Sequence, residues 1–308
     1  MKRTMLFSAA LLMIFLILQG MLTVAVAQIP RIQMLDKTST IVDMDAEMQQ
    51  LASEFRFTEG PAPDEAGNVY FSDIPNNQIF LWSLEDELTV FMENSGGANG
   101  LYIDDDGYII ACQGNARRLV SISPTGEVSV IVDEYNGKKF NSPNDLWIAP
   151  NGGIYFTDPR YGNRDNMEMG EHVYYVSPDR ENIIRVIDDL TRPNGVIGTP
   201  NGEVLYVADQ GAKETYQYLI EDDGTLTQKT KFIESGSDGM TLDEQGNVYL
   251  TSGAVKVYNS IGTQIATINV PESPANVCFG GENHDELYIT ARTSLYMIPM
   301  KKHGVQMR

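Results

Sequence analysis

The sequence predicts an all-β protein, a six-bladed β-propeller with four-stranded blades around a central channel. A turn rich in Gly, Asn and Asp, followed by a short apolar strand, recurs six times at intervals of roughly 40 to 50 residues. An oxygen-bearing side chain precedes each of these strands by about 11 residues. No window shows sustained helical periodicity, so helical repeats of similar length are disfavoured.

The N-terminal residues 1–27 are predicted to be a signal peptide. Lys2-Arg3 precedes an apolar run from Met5 to Val26, and Ala25-Val26-Ala27 forms a small-residue cleavage site. Cleavage would export the protein to the periplasm or the medium and leave a mature form without a membrane partner. The alternative is an uncleaved membrane anchor, because the run is long enough to span a bilayer.

The rest of the chain divides into a lead-in, the propeller and a tail. Residues 28–50 are expected to be a loosely ordered lead-in, residues 51–300 the propeller and residues 301–308 a C-terminal tail. A strand at about 51–57 is expected to join the last blade and close the ring, since closure leaves few unpaired edges. Cys112 and Cys278 fall in blades 2 and 6, which predicts two buried free thiols.

The formal net charge of −20 indicates a surface that repels nucleic acid. The competing interpretation is that an acidic surface keeps an exported protein soluble, and the oligomeric state is left open.

The repeated apolar runs are predicted to be the second strand of each blade. Gly, Asn and Asp tolerate the positive φ that the preceding turns need. The six runs are Val69–Phe71, Ile109–Ala111, Ile154–Phe156, Leu205–Val207, Val248–Leu250 and Leu287–Ile289.

The oxygen-bearing positions are predicted to lie on the innermost strands, at one mouth of the channel. Two are carboxylates and four are amides, which is the donor set of a hard cation. Calcium is expected first, with magnesium, manganese or zinc as alternatives. For any one residue, turn formation is the competing interpretation, but six in phase favour a site. The six are Glu59, Asn99, Asn144, Asn194, Asp238 and Asn276.

Two further groups are expected near this mouth. Three aspartates end the strands that return to it, and they either orient the amides from behind or initiate turns. They are Asp73, Asp158 and Asp209. Four residues of the loop around 159–171 are expected to contact substrate, although a lone His is more often structural. They are Arg160, Tyr161, Glu171 and His172.

Several of these residues lie in motifs that resemble the senescence-marker-protein / gluconolactonase / luciferin-regenerating-enzyme family, most of all its bacterial gluconolactonases. The motifs are Glu59-Gly60-Pro61, Asn141-Ser142-Pro143-Asn144-Asp145, Tyr155–Pro159, Arg192-Pro193-Asn194-Gly195, Ser237-Asp238-Gly239 and Leu287–Tyr296. The resemblance implies a six-bladed, calcium-dependent propeller that hydrolyses sugar lactones. It places the metal ligands on Glu59, Asn144, Asn194 and Asp238, and makes Asp238 the base or nucleophile. Asn99 and Asn276, which rest on spacing, are assigned to substrate. One departure is Gln113, where many gluconolactonases have a titratable His.

A lactonase mechanism follows from this resemblance. The cation would polarise the lactone carbonyl, and Asp238 would take a proton from the attacking water. No Gly-x-Ser-x-Gly elbow is present, which disfavours a serine hydrolase. Two alternatives remain: a metal-dependent esterase or phosphotriesterase on the same site, and a non-catalytic propeller that calcium stabilises.

Overall fold

The computed structural model describes residues 41–43, 45–161 and 170–305. The predicted signal peptide lies outside this range, as does the end of the tail. Among the described residues, no helix is long and apolar enough to cross a membrane.

The described residues form 26 strands. In chain order they are β1 (Gln49–Ala52), β2 (Thr58–Pro63), β3 (Val69–Asp73), β4 (Gln78–Trp82), β5 (Leu88–Glu93), β6 (Ala98–Ile103), β7 (Ile109–Gln113), β8 (Arg118–Ile122), β9 (Val128–Val132), β10 (Glu134–Tyr135), β11 (Lys138–Lys139), β12 (Leu146–Ile148), β13 (Ile154–Asp158), β14 (His172–Val176), β15 (Ile183–Ile187), β16 (Pro193–Gly198), β17 (Val204–Asp209), β18 (Glu214–Ile220), β19 (Leu226–Ile233), β20 (Met240–Leu242), β21 (Val248–Thr251), β22 (Val255–Tyr258), β23 (Gln264–Ile268), β24 (Pro274–Gly280), β25 (Glu286–Ala291) and β26 (Ser294–Pro299).

Six four-stranded antiparallel sheets form the blades, which confirms the predicted propeller. Blades 1 to 5 run in chain order as β2–β5, β6–β9, β12–β15, β16–β19 and β20–β23. Blade 6 has the order β24-β25-β26-β1, with β1 at its outer edge. The first strands contact one another in a closed circuit, β2 with β6 and β24, β12 with β6 and β16, and β20 with β16 and β24. They therefore line the central channel, and the repeated apolar runs lie in the second strands, as predicted.

The N-terminal segment closes the ring through β1, which pairs antiparallel with β26. A closing strand from this side was predicted, but it ends at Ala52 instead of extending to residue 57. The expectation of a loosely ordered lead-in is wrong for the described residues before β1. Ile41, Val42 and Met48 are buried among apolar side chains of blades 5 and 6. Burial of these side chains stabilises the segment at roughly 1.5–3 kcal/mol each.

The core lies between neighbouring blades, where large side chains of adjacent sheets interdigitate. Trp147 stacks on Tyr155 with centroids 5.9 Å apart, and both side chains are fully buried. Gly198 of the next blade packs on the Trp147 ring, and a Cβ there would lie 2.3 Å from it. Cys112 and Cys278 are buried free thiols, as predicted.

Candidate functional site

The six predicted ring residues lie at the mouth end of the first strands, where the pairing is irregular. In blades 1, 2, 4 and 6 the register between first and second strand shifts at or beside the ring residue, as it does between Glu59 and Ala62. In blades 3 and 5 regular pairing begins at Leu146 and Met240, so Asn144 and Asp238 precede the strand. Such irregularity changes the direction of a side chain relative to the regular strand.

Close packing of the first strands brings the ring residues together. Gly60 has a φ of 47°, and a Cβ there would lie 2.0 Å from the Asn99 carbonyl oxygen. A Cβ at Gly239 would lie 1.9 Å from the Asn276 side-chain oxygen. Neither position tolerates a side chain without movement of its neighbour. The glycine that follows a ring residue is therefore part of the site's architecture.

Asn194 and Asp238 form the central contact of the site. The Asn194 Nδ2 donates to Asp238 Oδ1 at 2.6 Å, and it also lies 2.9 Å from the Tyr161 hydroxyl. The Asn194 Oδ1 is buried and has no hydrogen-bond partner within the described residues. A buried acceptor without a partner costs about 1–3 kcal/mol, so this oxygen is suited to a ligand that the polypeptide does not supply.

Carboxylates surround this pair. Glu59 is 3% exposed, and burial raises the pKa of its carboxyl well above the usual range, reinforced by the nearby Asp238 carboxylate. Burial likewise raises the pKa of Asp238, while the Asn194 hydrogen bond and the charge of Arg292 lower it. Concentrated, desolvated negative charge is costly unless a cation offsets it.

A third carboxylate, Asp145, was not singled out from the sequence. Its Oδ1 accepts from the Leu146 N–H at 3.0 Å and its Oδ2 from the Val196 N–H at 3.3 Å, so it joins the first strands of blades 3 and 4. Burial raises its pKa to about 7, with a further contribution from Asp238. A signal was present in the sequence, because four of the six ring residues are followed by Gly, whereas Asn144 is followed by Asp145.

Tyr161 covers one side of the mouth. Besides its contact with Asn194, its backbone N–H donates to the Ser142 hydroxyl at 3.1 Å. Burial raises its pKa to about 12, so the phenol stays protonated at neutral pH. The Arg192 guanidinium lies 5.6 Å from the centre of the Tyr161 aromatic ring, and its Nε is 3.4 Å from Glu171 Oε2. Arg192 therefore links Tyr161 and Glu171 on one side of the mouth.

The other predicted substrate contacts are distributed unevenly. Arg160 is exposed, and its backbone N–H donates to Glu171 Oε2 at 2.7 Å. His172 lies on the third strand of blade 3, where it packs edge-on against Tyr174 and lies 3.5 Å from Arg185 of the outermost strand. His172 is thus separated from the channel-lining strand β12 by one strand, β13, and lies apart from the six ring residues at the mouth.

The remaining ring positions differ from each other. Asn276 is buried, hydrogen-bonds through its side chain to Glu59, and accepts from the Val277 N–H at 2.8 Å. Asn99 is half-buried, and its carbonyl accepts from the Ser72 hydroxyl of blade 1 at 2.9 Å. Asn276 therefore lies next to the Glu59 carboxylate, whereas the hydrogen bond of the Asn99 carbonyl joins blades 1 and 2.

The three strand-end aspartates act mainly on the backbone, and Asp209 also accepts from the N–H groups of residues 211 and 212, which fits the turn-initiating alternative. Each carboxylate accepts hydrogen bonds from two N–H groups just before a ring residue. Asp73 accepts from residues 56 and 57, Asp158 from residues 141 and 142, and Asp209 from residues 191 and 192. They set the position of Glu59, Asn144 and Asn194 through the chain. In blade 2, Gln113 occupies the same place and donates to the Ser95 carbonyl at 2.8 Å.

The donor set suits a divalent cation that prefers oxygen. Within residues 41–43, 45–161 and 170–305, no three His, Cys, Asp or Glu side chains cluster closely enough to hold a metal alone. The ring instead mixes carboxylates with amides, which are ligands that calcium accepts in flexible geometry. The unpartnered Asn194 oxygen, the buried carboxylate of Glu59 and the half-buried carboxylate of Asp238 are consistent with such an ion.

Comparison with known proteins identifies the family of this chain. Residues 57–293 match the family model described as the SMP-30/gluconolactonase/LRE-like region. A gluconolactonase of Zymomonas mobilis is 30% identical, covering 87% of this chain and 85% of that protein, and a pentonolactonase of Haloferax volcanii is 27% identical, covering 76% and 81%. The solved structure of a gluconolactonase from Xanthomonas campestris is 27% identical and superposes with a TM-score of 0.83, covering 88% of this chain and 95% of that one. This chain belongs to the SMP-30/gluconolactonase/luciferin-regenerating-enzyme-like family.

Proposed function

We propose that this protein is an enzyme that hydrolyses sugar lactones with the help of a bound divalent cation, calcium in the first instance. The observation that carries the proposal is the contact of Asn194 with Asp238 at 2.6 Å, which leaves the buried amide oxygen of Asn194 without a partner in the described structure. The similarity to a gluconolactonase and a pentonolactonase supports lactones as the substrate class.

The cation is proposed to lie among Glu59, Asn144, Asn194 and Asp238. When bound, it would polarise the lactone carbonyl and offset the buried negative charge. Asp209 fixes the backbone just before Asn194, and Tyr161 and Asp238 hold its side-chain amide, so its oxygen is positioned before any ligand arrives. Pre-positioned dipoles lose little reorganisation energy during a reaction.

Asp238 is proposed as the general base. Its carboxylate is partly exposed at the mouth, where water and substrate can reach it. As water adds to the carbonyl carbon, Asp238 takes its proton. The bond from that carbon to the ring oxygen then breaks, and the departing oxygen takes up a proton to leave an open hydroxy acid. General-base assistance of this kind contributes about 10²–10⁴ in rate.

Chelation tests the proposal directly. Exhaustive treatment with EGTA and EDTA is expected to abolish hydrolysis of D-glucono-1,5-lactone, and calcium is expected to restore it. The metal content of the same samples, measured by mass spectrometry, should fall and return in parallel. Full activity in metal-free protein would contradict the cation's role. Faster turnover of aryl esters or phosphotriesters than of every lactone in the panel would contradict the substrate class.

A further inference from the structure

Two arginines flank the mouth on either side of blade 5, the blade that carries Asp238. Arg192 immediately precedes β16 of blade 4, two residues before Asn194. Arg292 is in the hairpin between β25 and β26 of blade 6, and its carbonyl accepts from the Thr58 N–H at 2.8 Å, next to Glu59. The backbone of each arginine therefore lies close to a ring residue, Asn194 or Glu59.

Both guanidinium groups rest on aromatic rings that leave donors available. Arg292 lies 5.6 Å above the Phe57 ring and is exposed, and within the described part of the chain it has no ion pair. Arg192 lies 5.6 Å above the Tyr161 ring and keeps a side chain that is 45% exposed. Among the residues that the structure describes, only its Nε approaches a carboxylate, that of Glu171, at 3.4 Å. When an aromatic ring packs against the flat face of a guanidinium, the N–H groups along its edge stay available. That edge matches the two oxygens of a carboxylate or phosphate.

The acidic surface of the protein does not cancel these charges. Many of the acidic residues lie in the turns at the opposite end of the blades, including Asp64, Asp104, Asp105 and Asp106. A first strand of six residues such as β2 separates those turns from the mouth, which corresponds to about 20 Å. That distance exceeds two Debye lengths, which are about 8 Å at physiological ionic strength. At the mouth itself, the carboxylates of Glu59, Asp145 and Asp238 are the charges that the proposed cation offsets, and the two arginines supply the positive charge that an anion needs.

Building on the proposed function, we infer that the preferred substrate is a lactone with a second, ionised group remote from the lactone carbonyl. Arg192 and Arg292 bind that anion while the carbonyl lies at the level of Asn194 and Asp238. A neutral aldonolactone leaves both guanidinium groups without this partner. The anion is either the free carboxylate of a dicarboxylic sugar acid or a phosphate ester, which share this chemistry.

The test compares three lactones of one sugar skeleton: neutral D-glucono-1,5-lactone, D-glucaro-1,5-lactone and 6-phospho-D-glucono-1,5-lactone. The kcat/KM of the wild type is expected to be at least about tenfold higher for one of the two anionic lactones. Arg292→Gln and Arg192→Gln should lower kcat/KM for that lactone at least about tenfold more than for the neutral one. Arg292→Lys should have an intermediate effect on kcat/KM for that lactone, since lysine keeps the positive charge but lacks the paired N–H donors of a guanidinium. Lys229→Gln, which removes a positive charge from the outer edge of blade 4, is the matched control and should leave the ratio unchanged.

A binding measurement separates failure of this inference from failure of the proposed function. Calorimetry should show that D-glucarate or 6-phosphogluconate binds more tightly than D-gluconate, and that Arg292→Gln removes the difference. If lactones are hydrolysed but the neutral one is turned over as well as either anion, the inference is wrong and the lactonase proposal stands. If no lactone is hydrolysed and the acids bind alike, both are wrong. If the Arg-dependent preference is seen in binding alone, anion recognition is supported and hydrolysis is not.

Discussion

The two ends of the blades use the same residue types in opposite ways. At the end away from the mouth, Asp64 accepts from the Gly67 N–H, the Asn68 N–H and the Asn68 side chain at 2.8–2.9 Å. Asp243 of blade 5 accepts from the backbone of Gln245 and Asn247 and from the Tyr249 hydroxyl. These carboxylates complete tight turns, and their hydrogen-bonding capacity is used locally.

At the mouth, the corresponding groups face one another. Asn194 donates to Asp238, its own oxygen lacks a partner in the described structure, and Glu59 and Asp145 add further buried negative charge. Hydrogen bonds within the turns account for the carboxylates of Asp64 and Asp243 at the far end. At the mouth, turn formation does not account for the excess negative charge or for the unpaired Asn194 oxygen. The difference shows that an Asn or Asp in a turn-like sequence is better judged by whether its hydrogen bonds are complete than by its residue type.

The sharpest test of this contrast exchanges one carboxylate for an amide at each end of blade 5. Asp238→Asn is expected to lower kcat for lactone hydrolysis about 10²–10⁴-fold, because the amide cannot accept a proton. Its thermal unfolding midpoint should change little. Steady-state kinetics and a thermal melt on the same preparation measure both quantities.

Asp243→Asn is the matched control at the opposite end. It replaces a fully buried carboxylate that accepts several hydrogen bonds, so it should lower the unfolding midpoint and leave kcat nearly unchanged at temperatures where the protein is folded. Retention of more than about a tenth of kcat in Asp238→Asn would contradict the base assignment.

Asp145 tests whether the excess charge at the mouth serves a cation. Asp145→Asn removes one charge beside Asn144, and the new amide nitrogen faces either the Leu146 or the Val196 N–H. Affinity for calcium is expected to fall about 10–100-fold, the usual effect of losing a group that supports a metal ligand. Calcium titration followed by calorimetry measures this effect. Unchanged affinity together with reduced thermal stability would show that Asp145 only joins the two blades.

The periodicity of the sequence was sufficient for the fold and for the ring. A repeat fixes the phase of each blade, so the common level of Glu59 and Asp238 follows from counting residues. Asp145 was not predicted, because only the ring position itself was compared between blades. The next residue is Gly in four blades, and Asp145 stands at that position in blade 3. The backbone role of Asp209 depends on which N–H groups fold back toward it, which spacing does not specify. The sequence places Arg192 two residues before Asn194 and Arg292 just after β25, but their stacking on Tyr161 and Phe57 required the three-dimensional structure.

The smallest effect is expected from Asp64→Ala, at the end where turn chemistry is complete. The three hydrogen bonds that Asp64 accepts are half-buried, and water can replace the lost acceptor in part. The free energy of unfolding should therefore fall by only about 0.5–1.5 kcal/mol, and calcium affinity and kcat should match the wild type. Chemical denaturation gives the free energy, and the same calcium titration used for Asp145→Asn gives the affinity. A loss of calcium affinity in Asp64→Ala comparable to that in Asp145→Asn would mean that the acidic turns also hold the ion, and the distinction between the two ends would not hold.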